Sequence, residues 1–593
     1  MLNTSNWSRL LCLCACSMLV AVGCSDSDSL DSNSDDNSNP DQSDPSSVTD
    51  PSDDTTDRTD EVYDPSRLLT VQIELSEADW DALRDQERTG QDLNIGPDCL
   101  PPSEPFESPF SWFTGNVTVD GERIENVGIR KKGFIGSMNY DKPSFKIRFD
   151  KFVDDQTYLD AKRLTLNNDV QDASYVRQCL AYDLFRAVGT PAPRCNYAHV
   201  FVNGVDLGIF TNVESIKKPF IRRNFTDPEG NLYEGTLSDF REGWMGTYNQ
   251  KTNESTPDKA IIEAMAALLE GPDEGLIEAL SEYIDMDAFL NFWVVETLTA
   301  HWDGYAGNTN NYHMYHDPTS DRLHFIPWGV DQTFQSTFML FEGTLAPHTI
   351  NTAGLLTRRL YLHPEGQAMY LQRLTEVMDA YWDTDVLIAS IASMREVFEA
   401  SVVQLEADWP SLDDAVSETI RFINQHSNAL RTELANGPVE WTYPLRQSLC
   451  DNQRGGGAEW NGNLNTGEGV GEIEYSRGAT EDAEACIVQG QLEGIASTDL
   501  CGEGCTFAME MMMTNWTVQD PESSGCSDEE RTFEDSPLLI GQSPIQIGEY
   551  EGSPVWALMG VDEETGNWNP IPNGYSLSFG AGANIVWFFG AQF

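Results

Sequence analysis

Residues 128–149 read GIRKKGFIGSMNYDKPSFKIRF, two strand-like runs separated by a turn that contains glycine and serine. The segment holds six bases and one acid in a chain that is otherwise strongly acidic. Because side chains alternate across a strand, Lys146 and Arg148 lie on one face, opposite Phe145 and Ile147. Backbone N–H groups and cationic side chains in this layout are suited to holding a polyphosphate. A solvated pair of basic strands explains the same pattern equally well.

The composition of the whole chain excludes several classes of protein. The 593 residues are 40% hydrophobic and 10% aromatic, which is enough to bury a large core and excludes a wholly disordered chain. A net charge of −60 repels phosphate backbones, so we expect no nucleic-acid partner. No internal stretch has 18 uncharged apolar residues, which excludes a protein that spans a membrane several times.

The first 24 residues have the features of an export signal. An apolar run from Leu10 to Val22 follows the single base Arg9 and ends at Gly23-Cys24. This end resembles a bacterial lipobox, which predicts that Cys24 is lipidated and that the protein is exported and lipid-anchored. Ser25 after the cysteine favours the outer membrane or cell surface. Ordinary signal-peptidase cleavage, with Cys24 incidental, is the alternative.

Residues 25–66 contain 14 acids and one base among Ser, Asn, Thr and Pro. Such a segment buries too little apolar surface to offset the entropy lost on ordering, so we predict a disordered acidic linker. Eight cysteines follow Cys24, an even number that predicts disulfides in an exported protein. Half a zinc site at Cys501 and Cys505 is the less favoured alternative, since no histidine occurs after His426.

Local patterns divide the rest of the chain into a body at 67–440 and a tail at 441–593. The body mixes strands with helices and has two strong hairpin signals, at Asp120-Gly121 and Asn203-Gly204. The tail has short alternating strands and five cysteines, which predicts a small β-rich domain stapled by disulfides. The expected fold class is therefore α+β.

Two further segments carry residues suited to phosphoryl transfer. Residues 301–315 read HWDGYAGNTNNYHMY, and residues 326–334 read IPWGVDQTF. In such chemistry one carboxylate accepts the proton of the acceptor hydroxyl, while an amide oxygen and a second carboxylate hold Mg²⁺ on the phosphates. Asp303, Asp331 and the asparagines of the first segment are residues of these types. Taken singly, each Asp is more often a cap or turn residue. The order of all three basic and polar segments along the chain favours the functional interpretation.

In this order the segments resemble the spore coat protein H (CotH) kinase-like family over roughly residues 67–436. The resemblance extends through the shared motifs, which are Val127–Arg130, Pro143–Lys151, Leu164–Asp169, Ser174–Arg177, Val202–Gly204, Leu207–Phe210, Val213–Ile216, Asn231–Tyr233, Trp302-Asp303, Asn310–Tyr312 and Ile326–Trp328.

The resemblance implies an atypical protein-kinase-like fold, with a mixed sheet lobe and a helical lobe. It implies that the chain binds ATP and Mg²⁺ and phosphorylates Ser or Thr of secreted or surface proteins. By this resemblance Lys146 contacts the nucleotide, together with Arg130 and Lys132 of the same basic segment. Asp303 is the catalytic residue, and Asn311 and Asp331 are metal ligands. Glu214 orients Lys146 or a metal.

The chain departs from the family pattern in two places. The family's Arg-Gly-Asn-Ser-like turn reads Lys131-Lys132-Gly133-Phe134-Ile135-Gly136-Ser137 in this chain, and the second departure is in a carboxylate motif. The family commonly has Ile-Pro-Trp-Asp-x-Asp, whereas this chain has Gly329 in place of the first Asp. This departure favours the alternative hypothesis, a catalytically weak or inactive surface adhesin or structural lipoprotein on a kinase-like scaffold. The complete set of motifs favours an atypical protein kinase over that alternative.

Overall fold

The computed structural model describes residues 57–88, 100–134, 136–335, 340–341, 344–345, 347–405, 409–440 and 445, and the backbone of nine strands between 454 and 589. Cys24 and the leader lie outside the described residues. Within the described part of the chain, no helix is long and apolar enough to cross a membrane.

A closed barrel of seven strands forms the first half of the body. Val71 of the first strand pairs antiparallel with Val119 and parallel with Val200, and these two pairings close the expected mixed sheet on itself. Both hairpins predicted from Asp-Gly and Asn-Gly turns are present. The barrel strands are β1 (Leu68–Glu74), β2 (Phe113–Val119), β3 (Glu122–Lys132), β4 (Ser144–Arg148), β5 (Arg163–Asn167), β6 (Cys195–Val202) and β7 (Val205–Val213).

Alternation along the barrel strands separates an apolar interior from a polar outer face. Phe145 and Ile147 of β4 are fully buried in the interior cluster, whereas Lys146 and Arg148 are half-buried on the outer face. This confirms the alternation predicted from the sequence. The outer face of β6 and β7 is apolar instead, because Tyr197 and Ile209 pack into the core of the helical part.

The helical part of the body packs around one buried helix. This helix, α7 (Met286–Leu298), has apolar residues on most of its circumference, as expected for a helix that is enclosed on all sides. The helices are α1 (Thr59–Val62), α2 (Glu77–Arg84), α3 (Arg177–Ala187), α4 (Lys218–Asn224), α5 (Ala260–Glu270), α6 (Leu276–Tyr283), α7 (Met286–Leu298), α8 (Tyr305–Asn308), α9 (Leu355–Leu362), α10 (Pro364–Tyr381), α11 (Thr384–Phe398) and α12 (Leu412–Ala435).

A second sheet lies against these helices and has the strand order β11-β10-β8-β9. One face packs into the helical core through Met314 and Phe325. The strands are β8 (Asn231–Gly235), β9 (Asn249–Gln250), β10 (Tyr312–Asp317) and β11 (Arg322–Pro327), and a separate two-stranded pair is formed by β12 (Leu340–Phe341) and β13 (Thr344–Leu345).

The structure corrects the predicted end of the acidic linker. Residues from Asp57 onward belong to the folded body, because Val62 and Tyr63 are buried in the barrel cluster. Arg194 fixes the same segment by donating a hydrogen bond to Thr59 Oγ1 (2.9 Å). The short apolar pair Val62-Tyr63 is too small to give a periodic signal, so the composition of its surroundings dominated the prediction.

One disulfide lies within the body and links helix α3 to strand β6. It joins Cys179 to Cys195, whose Cα atoms are 5.3 Å apart. The cysteines of the tail lie outside the side chains that the structure describes. The tail strands form one nine-stranded sheet: β14 (Arg454–Gly462), β15 (Glu468–Arg477), β16 (Cys486–Ser497), β17 (Phe507–Val518), β18 (Pro537–Tyr550), β19 (Ser553–Val561), β20 (Trp568–Pro570), β21 (Ser576–Phe579) and β22 (Ile585–Phe589).

Candidate functional site

Asp303 lies at the centre of a polar turn that follows helix α7. Its Oδ1 accepts hydrogen bonds from Asn308 Nδ2 (2.7 Å) and Asn310 Nδ2 (3.2 Å). Its Oδ2 accepts one from Asn311 Nδ2 (2.7 Å). All three groups are N–H donors, so the geometry suits an ionised carboxylate, which only accepts. The turn therefore fixes a buried carboxylate directly against Asn311.

Glu296 holds the same turn from the helix side. Its carboxyl accepts hydrogen bonds from the backbone N–H groups of Tyr305 (2.9 Å) and Ala306 (2.8 Å), at the start of α8. Burial raises the pKa of Glu296 to about 8, although these two hydrogen bonds oppose the shift. The position of Asp303 thus depends on a buried carboxyl that gains a proton near neutral pH.

We expect Glu296 to make stability depend on pH. Its folded pKa is above its unfolded value, so the folded state binds more protons between pH 4.5 and about 8, and stability falls as pH rises through that range. The slope is at most about 1.4 kcal/mol per pH unit. Urea unfolding at pH 5.5 and pH 8 should show the wild type losing stability relative to Glu296→Gln. The exposed Glu263→Gln is the control, and parallel loss in all three proteins would refute the prediction.

His301, next to this turn, is also fully buried. Burial lowers the pKa of His301 to about 3, against a small opposing effect of the Trp328 backbone. The imidazole is therefore neutral at physiological pH.

Asn311 presents an unused acceptor to the same pocket. Its backbone is left-handed (φ +51°), and its carbonyl accepts a hydrogen bond from Trp328 N (3.1 Å). Its side-chain Nδ2 is bound to Asp303, while the buried Oδ1 has no hydrogen-bond partner. A buried amide oxygen without a donor is costly unless a cation or another group satisfies it.

Asp331 lies in the 3₁₀ turn Val330–Gln332, which directly follows Gly329. Trp302 Nε1 donates a hydrogen bond to Gln332 Oε1 (3.0 Å), and Phe334 N donates one to Thr299 O (2.8 Å). These bonds attach the turn to the end of α7. Asp331 is buried in this turn, two residues after Gly329, which contacts Asn311.

The residues present fit a magnesium ion of the kind that a nucleotide carries. The described residues hold no group of three or more His, Cys, Asp or Glu side chains placed to bind a metal. Mg²⁺ usually needs fewer protein ligands, one or two carboxylates, because phosphates and waters complete its octahedron. Asn311 Oδ1 is a free buried oxygen, and Asp331 is the carboxylate of the adjoining turn.

Gly329 is required here by a close approach as well as by its backbone. Its φ is +52°, and a Cβ at this position would lie 2.6 Å from Asn311 Oδ1. The Asn311 amide cannot move aside without weakening its hydrogen bond to Asp303. The family's Asp is therefore not tolerated at this position in the geometry of this chain.

Replacing Gly329 by the family residue should harm this protein. We expect Gly329→Asp to lower the free energy of unfolding by about 1–3 kcal/mol through overpacking. Gly204→Asp is the control, since Gly204 also has a positive φ (+80°) but nothing lies within 4 Å of its Cβ position. Chemical unfolding of both variants gives the comparison, and equal losses would contradict the contact argument.

The basic barrel strand is connected to the same turn through helix α3. Lys132 Nζ donates a hydrogen bond to Asn167 Oδ1, and Asn167 Nδ2 donates one to Gln178 Oε1 (2.8 Å). Helix α3 packs against the Val330–Gln332 turn, and Arg177 Nη1 donates a hydrogen bond to Gln335 Oε1 (2.7 Å). The barrel and the polar turns thus meet across α3.

Lys146 and Arg130 are cross-strand neighbours on the outer face of β4 and β3. The guanidinium of Arg130 is buried over the ring of Trp112, 4.7 Å from its centroid. Lys146 is half-buried and pairs on its other side with Thr165, whose Oγ1 is 2.8 Å from Ser215 Oγ. The predicted nucleotide contacts therefore share one face of the barrel.

Glu214 directly follows β7 and lies in an ion-pair cluster with Arg194 and Arg223. Arg194 Nη2 donates to its Oε1 (2.8 Å), and Arg223 Nη2 donates to its Oε2 (2.5 Å). Burial alone would raise the pKa of Glu214, but these hydrogen bonds outweigh it and hold the pKa below its usual value. The structure gives this carboxylate two arginine partners that the sequence did not suggest.

Sequence reasoning missed a buried group that fixes the Gly/Ser turn. Asn168 Nδ2 donates hydrogen bonds to Ser137 O (3.0 Å) and Lys142 O (2.8 Å). Asp169 accepts hydrogen bonds from Thr211 N (2.9 Å) and Thr211 Oγ1 (2.7 Å). Burial raises the pKa of Asp169 and lowers that of Lys142 to about 8, while their mutual attraction opposes both shifts. The Asn-Asn-Asp motif was visible in the sequence, but its structural role was not.

Comparison with known proteins identifies the family. The family model described as CotH kinase protein matches residues 129–435, just over half of the chain. This chain belongs to the CotH family. The matched region runs from the basic strand β3 to the end of α12 and includes all three polar segments of the pocket.

CotH relatives come from bacteria and from a fungus. The chain is 22% identical over 315 residues to inner spore coat protein H of Bacillus subtilis (strain 168), covering 50% of this chain and 84% of that protein. It is 25% identical over 321 residues to invasin CotH2 of Rhizopus delemar, covering 49% of this chain and 50% of that protein. Invasin CotH3 of the same fungus is 29% identical over 184 residues, 28% of this chain and 30% of that protein. The chain thus spans half or less of the length of these invasins.

Proposed function

We propose that this CotH-family protein is an extracytoplasmic kinase that transfers the γ-phosphoryl group of ATP to Ser or Thr hydroxyls of secreted or surface proteins. The observation that carries the proposal is the contact of Asp303, Asn311 and the Gly329–Asp331 turn, with Asn311 Oδ1 left as a buried acceptor. The printed description of the family as a kinase protein and the order of the sequence motifs support it. The body contains a seven-stranded barrel and a helical part, and we propose that these two parts form a kinase-like scaffold.

In the proposed reaction Asn311 and Asp331 hold Mg²⁺, and Lys146, Arg130 and Lys132 offset the charge of the phosphates. Bound Mg²⁺ would neutralise the negative charge that develops on the β- and γ-phosphates during the transfer. Asp303 accepts the proton of the acceptor hydroxyl as that oxygen bonds to the γ-phosphorus, and ADP leaves with the electrons of the broken P–O bond. Three asparagine side chains donate hydrogen bonds to Asp303 and so hold this base in one orientation toward the acceptor hydroxyl.

Incubation with labelled ATP and Mg²⁺ tests this function. The expected result is labelled protein, on the chain itself or on an added surface protein. Asp303→Asn should reduce labelling by about 100-fold or more, because base catalysis contributes about 10²–10⁴-fold. No labelling of any protein, together with no nucleotide-induced shift in melting, would reject the proposal.

A binding protein on a retired kinase scaffold is the second candidate. Gly329 in place of a family carboxylate favours it, and so does similarity to proteins named invasins. Binding of the chain to cell-surface glycans, without any binding of nucleotide, would support this candidate instead.

The proposed location is the cell surface. Residues 1–23 would be removed and Cys24 would be lipidated as the new N-terminus, so that the acidic linker tethers the body to the outer membrane. The names of the relatives, spore coat protein and invasin, support a surface role. The strongly acidic chain should bind no nucleic acid.

A further inference from the structure

Lys132 is a buried cation without an acidic partner. It is the last residue of β3, directly before the Gly/Ser turn, and is 1% exposed. Its Nζ donates a hydrogen bond to the neutral amide of Asn167, and among the side chains that the structure describes no Asp or Glu forms an ion pair with it. The similarly buried Lys251, by contrast, has Glu234 Oε2 3.1 Å from its Nζ. A buried ammonium is costly unless a negative charge compensates it, so Lys132 is suited to an anionic ligand.

Two amides fix the direction of this cation. A lysine ammonium only donates, so Asn167 must present its Oδ1 to Lys132 and its Nδ2 to the opposite side. On that side, Asn167 Nδ2 donates a hydrogen bond to Gln178 Oε1 (2.8 Å). All three side chains are buried, at 4% exposed or less. The order of donors and acceptors therefore runs in one direction from Lys132 to Gln178, and it holds the ammonium in place.

Gln178 is itself fixed, because its two neighbours in helix α3 are anchored. Arg177 Nε donates a hydrogen bond to Thr419 Oγ1 (3.1 Å) of helix α12. Cys179 is joined by the disulfide to strand β6. The same helix packs against the turn that carries Asp331. The first turn of α3 thus connects the support of Lys132 to the part of the molecule that holds the proposed metal ligand.

The residue after Asn167 supports the turn that follows Lys132. Asn168 Nδ2 donates hydrogen bonds to the carbonyls of Ser137 (3.0 Å) and Lys142 (2.8 Å), on the far side of that turn. Two consecutive asparagines at the end of β5 therefore hold both the buried ammonium and the backbone turn of the basic segment. These are the two kinds of group that suit a polyphosphate.

We propose that Asn167 and Gln178 are positioning residues, which hold Lys132 Nζ toward the phosphates of the nucleotide. This inference rests on the proposed function and deepens it, because it names the side chains that orient one of the phosphate contacts. Asn167 acts through Lys132, and Gln178 acts through Asn167, so neither amide touches the nucleotide. The phosphates supply the negative charge that the Asn167 amide lacks.

Asn167→Asp should separate stability from ATP affinity. The isosteric carboxylate gives Lys132 a counter-charge, and the Gln178 amide can turn to donate a hydrogen bond to it. We expect an unchanged or higher melting temperature, but an affinity for ATP with Mg²⁺ that is about 10- to 100-fold lower, the effect of losing a hydrogen bond to a charged group. Asn424→Asp is the control, because it adds the same charge on the exposed face of α12 and should bind ATP as the wild type does.

Gln178→Met tests the second amide. Methionine keeps the length of the side chain but removes Oε1, so Asn167 is no longer held and ATP affinity should fall about threefold to tenfold, the effect of one neutral hydrogen bond. In a Lys132→Met background the same change should have less than about a twofold effect, because no ammonium is left to orient. Titration calorimetry with ATP and Mg²⁺ measures all of these affinities.

Each other outcome overturns the assignment. Undiminished ATP affinity of Asn167→Asp would show that Lys132 contacts no phosphate, and loss of its fold would show that Lys132 does not accept a counter-charge there. Equal effects of Gln178→Met with and without Lys132 would show that Gln178 does not act through it. Absence of ATP binding by the wild type would refute the proposed function itself, so the two failures are distinguishable. Asn167→Asp still decides if Gln178→Met fails to fold.

Discussion

Asp331→Ala should abolish Mg²⁺-dependent ATP binding and labelling while the protein stays folded. The carboxylate is the acidic ligand in the proposed site, and its partner Asn311 supplies only a neutral oxygen. Loss of a group that merely supports a metal ligand already costs about 10- to 100-fold, so loss of the ligand should cost at least about 100-fold in affinity. Titration calorimetry with ATP and Mg²⁺ measures the effect.

The control for this variant is Asp379→Ala, which removes an exposed carboxylate on α10 that pairs with Arg431. We expect it to bind ATP as the wild type does. Circular dichroism and the melting temperature should show that Asp331→Ala retains its fold. Undiminished affinity of Asp331→Ala for ATP with Mg²⁺ would remove Asp331 from the site.

Asp169→Ala should lower the free energy of unfolding by about 3–5 kcal/mol. The change leaves the backbone N–H and the hydroxyl of Thr211 without their acceptor, and it removes the carboxylate that attracts the buried Lys142 ammonium. Each buried donor left without an acceptor costs about 1–3 kcal/mol, so two such donors account for a loss of this size. Urea unfolding followed by fluorescence measures the loss.

Two further variants separate the interactions of the Asp169 carboxylate from backbone effects. Asp155→Ala is matched in backbone, since Asp155 has φ +62° beside +58° for Asp169, but it is exposed. Its loss should stay below about 1 kcal/mol. Asp169→Ala combined with Lys142→Met should recover part of the stability, because the lone charge is gone. If Asp169→Ala loses no more stability than Asp155→Ala, the Asp169 carboxylate does not stabilise the fold.

Local features of the fold were predictable because they depend on neighbouring residues. Ser76, a residue type favoured at helix N-caps, caps helix α2, with Oγ accepting a hydrogen bond from Asp79 N (3.1 Å). The turns at Asp120-Gly121 and Asn203-Gly204 have the positive φ angles that such pairs favour. The alternation in β4 gave the correct inward and outward faces.

Closure of the barrel was not predictable from the same patterns. It depends on parallel pairing of β1 with β6, two strands that are far apart in the sequence. Alternation shows which face of a strand is apolar but does not show its partner. The Cys179–Cys195 pairing was hidden for the same reason, since an even cysteine number fixes no connectivity.

In the candidate site, the order of the three segments along the chain indicated the functional residues but not the side chains that hold them in place. Asp303 and Asn311 were both expected, and their direct hydrogen bond brings them together. Asn308 and Asn310, which complete the shell of Asp303, read as ordinary turn residues. Lys251 directly follows the two-residue strand β9, and only the pairing of β8 with β9 brings its side chain to Glu234.

The most direct test of the account is a calorimetric titration of the wild-type chain with ATP, in the presence and in the absence of Mg²⁺. If Asn311 and Asp331 close one pocket with the basic barrel strand, one ATP should bind per chain and the affinity should depend on Mg²⁺. Absence of binding under both conditions, or binding that ignores Mg²⁺, would contradict the account.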